Sequence, residues 1–164
     1  KRNSAEYAPF SKRSPYEGGI RTPIMVRWPN RVKPEMDRTH LASSIDLVPT
    51  ILKACDLEAA PSMEGIDLLD RKAVAEREAV FGAAYTHDAV DIEDPPKNLK
   101  YAYVISGDWK LIQPSGKNRT GEEPELYNVG ADPTEQKDLA SEKSAKVAQM
   151  QALLKGWWEP SVPE

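Results

Sequence analysis

The sequence predicts an α+β fold: a four-stranded antiparallel sheet carrying a C-terminal amphipathic helix on one face, preceded by one further strand and one further helix. Three observations lead there. Four short extended runs, 79–86, 100–106, 109–113 and 125–128, follow one another at short intervals. Gly107-Asp108 sits between two of them with the length of a two-residue hairpin loop. Residues 141–158 then carry Val147, Met150, Leu154 and Trp157 at spacings of three or four, which is one apolar stripe on a helix.

The totals are compatible with a folded domain. The 164 residues are 40% hydrophobic and 29% charged, with a net charge of −4. A mildly acidic chain without a basic run argues against nucleic acid as the main partner. No apolar run approaches the roughly 20 residues a membrane span requires. Cys55 is the single cysteine, so no internal disulfide forms. The chain opens at Lys1 inside a loop-like stretch, and it reads as a fragment whose natural N-terminus lies further upstream.

Taken in order, residues 1–19 are poor in apolar side chains and rich in turn formers. Tyr16-Glu17-Gly18-Gly19 is expected to turn through the glycines' access to positive φ. Ile20 to Trp28, apolar and β-branched, is the expected first strand, stopped by Pro29 and carrying Pro23, which cannot donate to a ladder. Left without neighbours, this strand offers an edge for self-association. Asp46 is the expected N-cap of a helix over 46–56, with Pro49 in its first turn. Leu47, Ile51, Leu52 and Cys55 form the expected apolar side of that helix, Cys55 as a small buried hydrophobe rather than a nucleophile. Residues 57–72 read as a loop. After the strands, 130–139 is a turn-rich connector. Trp158 broadens the helical stripe, and Pro160 and Pro163 end it.

Four segments together resemble one family. They are Y-E-G-G-I-R-T-P at 16–23, I-D-L-V-P-T-I-L at 45–52, G-D-W-K-L-I at 107–112, and E-L-Y-N-V-G-A-D-P-T-E-Q-K-D-L-A at 125–140. In this order and at these gaps they resemble the second half of a sulfatase of the alkaline-phosphatase-like superfamily. The G-I-D-L-L piece at 65–69 is similar to a further family segment, with Asp67 where Ser is usual. The resemblance implies that 1–72 is the C-terminal end of a large α/β catalytic domain and 73–164 a small sheet-and-helix domain. It also implies sulfate-ester or sulfamate hydrolysis by a formylglycine nucleophile with a divalent cation, usually calcium. The substrate it implies is a sulfated small molecule or glycan, and the setting periplasmic, secreted or lysosomal.

The nucleophile motif C-x-P-x-R is absent, since Cys55 is followed by Asp-Leu-Glu-Ala. The metal ligands are expected outside this chain, leaving none bound here and the isolated chain inactive. Asp88, Asp91, Glu93 and Asp94 cluster next to two prolines and read as a solvated loop rather than a cage. Lys12, four residues before Tyr16, stands at the spacing of the family's active-site lysine and is the expected catalytic and sulfate-binding cation. The position before it, often Gly in the family, is Ser11. Arg13 reads as solvated or as a substrate-side contact. His87 is the second substrate-binding candidate, beside its reading as an ordinary loop histidine, and His40 is weaker. Glu17 and Arg21 are expected to form an internal ion pair, and Trp157 and Trp158 to be core before they are sugar platforms. Two other functions fit the residues: phosphate or phosphonate ester hydrolysis in the same superfamily, and a stand-alone binding module.

Overall fold

The structure, a computed structural model, describes residues 10–157. They divide into two compact units. One comprises residues 22–80, and the other joins 10–21 to 81–157.

The second unit is the expected sheet. Strands β1 (Val80–Tyr85), β2 (Leu99–Ser106), β3 (Trp109–Pro114) and β4 (Glu125–Asn128) lie in the order β1-β2-β3-β4. β2 pairs antiparallel with β3, and β3 with β4. Ser106 faces Trp109 across the hairpin, so Gly107-Asp108 is the two-residue loop the sequence indicates. Gly107 takes φ +54° there, the left-handed backbone such a loop needs and glycine adopts without penalty.

The register sorts side chains between two faces. Val104, Leu111 and Leu126 share one face, and the helix α4 (Ser144–Trp157) closes it through buried Met150 and Leu154. Trp157, half-buried, stacks on Phe81 with ring centroids 5.2 Å apart. Tyr103, Lys110, Ile112, Glu125 and Tyr127 share the opposite face. Residues 10–20 and the 130–139 connector contribute the partners on that side. Trp158 and the Pro160–Pro163 tail lie outside the described residues.

Residues 16–28 differ from expectation. Glu17–Ile20 is a single helical turn, α1, and neither Gly18 nor Gly19 has positive φ. Residues 21–28 form no strand. An apolar β-branched run becomes a strand only beside a ladder partner, and this segment finds none among the described residues. Met25 and Val26 are exposed.

In the unit of residues 22–80, a 3-10 turn (Ser44–Asp46) leads into α2 (Leu47–Ala54), and α3 (Arg71–Glu76) begins where a loop is expected. Asp70 caps α3, accepting from the backbone N–H groups of Lys72 and Ala73. Asp46 does not cap α2 as expected. Its carboxylate reaches back to the Ser43 N–H at 2.7 Å and accepts from Ile66 N–H at 3.0 Å. Arg77 binds both its oxygens, at 2.5 and 2.7 Å. A buried charge takes the strongest donor in reach, and a bidentate guanidinium outcompetes a helix terminus. The apolar side of α2 is also turned the other way. Leu47, Ile51 and Cys55 are exposed, and Pro49 and Thr50 are the buried residues. Thr50 explains the rotation: its hydroxyl donates to Asp46 O and accepts from Leu68 N–H, tying that side to the following loop. No described helix is long and apolar enough to cross a membrane.

Candidate functional site

Lys12 and Arg13 sit in a tight loop on the sheet unit, both exposed. The Ser14 N–H and hydroxyl both donate to Ser11 O, at 3.1 and 2.5 Å, closing the loop. Arg13 takes φ +72° and Phe10 φ +58°. The left-handed region costs a non-glycine residue on the order of 1–2 kcal/mol, so the packing around this loop must hold it there. That packing comes from α1. A Cβ at Gly19 would lie 2.5 Å from Ser14 O and 2.6 Å from Ser11 O, and one at Gly18 would lie 2.6 Å from Phe10 O. The paired glycines are therefore needed for close approach, since the Lys12 loop lies directly on the helical turn.

Arg13 joins this loop to His87. Its guanidinium donates to His87 Nε2 at 3.1 Å. Guanidinium nitrogens do not accept, so His87 accepts at Nε2 and carries its proton on Nδ1 in this bond. The structure thus brings the Lys12 loop and His87 to one corner of the sheet unit. His40 belongs to the other unit, where its Nδ1 lies 2.7 Å from Asp37. The backbone N–H groups of Thr39 and His40, then the His40 ring, hold the Asp37 carboxyl well below the usual carboxylate range.

Beneath the loop lies a charged cluster that sequence reasoning only half found. Lys110 is fully enclosed. Its Nζ lies 2.8 Å from Glu135 Oε1 and 3.1 Å from Glu17 Oε1. The Glu17 backbone N–H donates to Glu135 Oε2 at 2.6 Å, which fastens the start of α1 to the same carboxylate. The expected Arg21 pair is present as the outer contact, 3.7 Å from Glu17 Oε2 and largely in solvent. Two carboxylates and two cations therefore face one another. Glu135 reaches the cluster from a backbone at φ +54°, in a connector held by Asp132, which accepts from Gln136 and Lys137 N–H groups. Beside it, the Tyr16 hydroxyl donates to the Glu125 carboxylate at 2.8 and 3.0 Å, and the Tyr127 hydroxyl at 2.6 Å. Burial, then the adjacent Glu125 carboxylate, pushes both phenols well above their ordinary pKa. The signal for Lys110 was present in the sequence: a lysine inside W-K-L-I, with its two-residue periodicity shared by Ile112.

The acidic group at 88–94 closes on itself. Lys97 pairs with Asp91 at 2.9 Å and Asp94 at 3.3 Å, and the Asn98 side chain binds the loop's backbone. Among the described residues, no three His, Cys, Asp or Glu side chains are grouped to hold a metal ion. The described residues do not fit a calcium cage. A shallow cavity of about 380 Å³ is lined by Trp109, Lys143, Ala145, Lys146 and Gln149. It lies on the α4 side of the sheet, away from Lys110, and holds no acid–base pair.

Residues 5–157 match the family model described as N-sulphoglucosamine sulphohydrolase, C-terminal. The chain is 30% identical over 158 residues to the N-acetylgalactosamine-6-O-sulfatase of Bacteroides thetaiotaomicron, covering 87% of this chain and 28% of that protein. Among solved structures, BT4656 in complex with its substrate D-glucosamine-2-N,6-O-disulfate is similar with a TM-score of 0.51 and 22% identity, over 68% of this chain and 23% of that one. The structure of Ps i-CgsB is similar with a TM-score of 0.59 and 17% identity, over 82% and 28%. These two likenesses bear on the fold. The chain spans under a third of the length of these proteins.

Proposed function

The chain belongs to the N-sulphoglucosamine sulphohydrolase C-terminal family of sulfatases, and from that premise we propose that it supplies one wall of a sulfatase active site. In this reading 1–72 ends the catalytic α/β domain and 73–164 is the small domain. The nucleophile, a formylglycine, and a calcium-type divalent cation that polarises the sulfate come from residues outside this chain. Lys12 contacts the sulfate and steadies the leaving oxygen as charge develops, and His87 contacts the substrate. The substrate class is a sulfated glycan, in keeping with the sulfated amino-sugar named as substrate of the similar BT4656. The setting is extracytoplasmic. The chain alone is inactive.

One observation carries the proposal. Three of the segments that mark the family meet in a single buried ion cluster, through Glu17, Lys110 and Glu135, directly under the Lys12 loop. The exposed apolar residues Met25, Val26, Leu47, Val48 and Ile51 also support the reading of 22–80 as part of a larger domain, which would cover them. The competing contact through 20–28 is self-association.

The test is sulfate release from 6-O-sulfated N-acetylhexosamines and from an aryl sulfate by the polypeptide that carries this chain. Hydrolysis is expected, with Lys12→Ala lowering kcat on the order of 10²-fold. Hydrolysis of aryl phosphonates in place of sulfates would move the reaction class. Glycan binding without turnover in that polypeptide would leave a binding module. Dimerisation of this chain that is abolished by Met25→Asp, read by sedimentation, would favour self-association through 20–28.

A further inference from the structure

We propose that Lys110 is a positioning residue for the active site: through Glu17 and Glu135 it fixes the loop that carries Lys12. The inference rests on the reading of Lys12 given above, but its structural half stands on geometry alone.

The chain of contacts is short. Lys110 is the second residue of β3, a strand paired on both edges. It is fully enclosed, with Nζ 5.6 Å from the centre of the Tyr103 ring and within 3.1 Å of carboxylates from two other segments. Glu135 completes the link by accepting the Glu17 N–H at 2.6 Å. Glu17 is the first residue of α1, and the Lys12 loop rests on α1 where Gly18 and Gly19 leave no space for a side chain. A displacement of α1 therefore carries the loop with it. Van der Waals contact allows no slack between them.

The charges make this link stiff. A buried carboxylate that loses its cation retains its full desolvation cost, and the cheapest relief is to move toward water. Glu135 is held from behind by its own connector, where Asp132 binds the Gln136 and Lys137 N–H groups. The Glu17 carboxylate has Lys110 and the exposed Arg21 as its cations, and its backbone N–H is held by Glu135. It is the rim member of the cluster, with Arg21 on its solvent side. Loss of the Lys110 charge is thus relieved by outward motion of Glu17, which takes α1 and Lys12 off their seat. Lysine here serves as a fixed point charge. It touches neither substrate nor reacting atoms.

The experiment uses the full polypeptide with Lys110→Met, Lys12→Ala and the double variant, together with Lys110→Met/Glu135→Gln, which removes one cation and one anion at once. Amide hydrogen exchange is read over residues 11–20 and 99–114, and kcat and KM for sulfate release are read alongside. Expected are faster exchange over 11–20 with 99–114 still protected, and a kcat loss on the order of 10²-fold with little change in KM. In the Lys12→Ala background the loss should vanish, since a misplaced lysine and a missing one are equivalent. Unchanged protection over 11–20 overturns the proposal. So does exchange that rises equally through the sheet, a failure of both Lys110 variants to fold, or a loss that multiplies with that of Lys12→Ala. If Lys12→Ala is fully active while 11–20 loosens in Lys110→Met, the sulfate-contact reading of Lys12 is what fails, and Lys110 remains the anchor of the loop.

Discussion

A methyl group at position 19 would overlap the Ser11 and Ser14 carbonyl oxygens, both backbone atoms of a loop already in a left-handed bend. Gly19→Ala should therefore destabilise by about 1–3 kcal/mol. Gly116→Ala, where an added Cβ meets nothing within 4 Å, should shift the melting temperature hardly at all. Differential scanning calorimetry of the pair separates steric need from general glycine flexibility. Asp46 presents the electrostatic counterpart. Burial alone would raise its pKa, but the Arg77 guanidinium and the Ile66 and Ser43 N–H groups outweigh burial and lower it. A carboxyl whose folded pKa is depressed stabilises the fold above its unfolded value near 3.9, and that contribution disappears as pH falls through the folded value. Arg77→Met should cost about 3–5 kcal/mol at neutral pH and flatten the acid limb of a urea-midpoint titration below about pH 4. An unchanged limb would mean that Asp46 does not govern it.

At the scale of elements, the four strands and α4 were legible and residues 20–28 were not, for one physical reason. β2 and β3 are joined by Gly107-Asp108 and find their partners locally, so turn chemistry and alternation suffice. Residues 20–28 carry apolar β-branched character, which states a preference for burial but names no partner. The same limit hid the turned face of α2, where Thr50 and Asp46 outrank the apolar stripe by hydrogen bonding to residues up to 31 positions away. Lys12, His87 and the Glu17–Arg21 pair could be named from sequence. The Lys110–Glu135 contact could not, because it joins a strand to a connector through space. The β4 edge offers a further check. Tyr16 and Tyr127 both donate to Glu125 and hold their protons above the ordinary phenol range. A phenol with a raised folded pKa contributes fully below about pH 10, and its contribution is lost as pH rises beyond that. The urea midpoint should fall above about pH 10, and less steeply in Tyr127→Phe. An equal slope in both proteins would rule the cluster out as the cause.

For the whole molecule, the sheet unit is assembled from two stretches separated by residues 22–80. Tyr16 bonds to a residue 109 positions away and Glu17 to one 118 away, whereas the β2–β3 hairpin closes over two residues. Closing a long loop costs more entropy than closing a short one, so the hairpin should form early and the 10–20 segment dock late. In stopped-flow experiments Val104→Ala should slow folding, and Tyr16→Phe should speed unfolding with little effect on the folding rate. A slower folding limb for Tyr16→Phe would place docking in the nucleus instead.

The distance from Glu17 to Glu135 has a consequence for synthesis. The loop bearing Lys12 leaves the ribosome more than a hundred residues before the carboxylate that fastens it. Until β3 and the connector have emerged, nothing of the ion cluster exists to seat that loop. A product broken off before Glu135 would carry Lys12 yet could not hold it in place. The seat of that loop is thereby conditional on synthesis passing Glu135: a later segment licenses an earlier one.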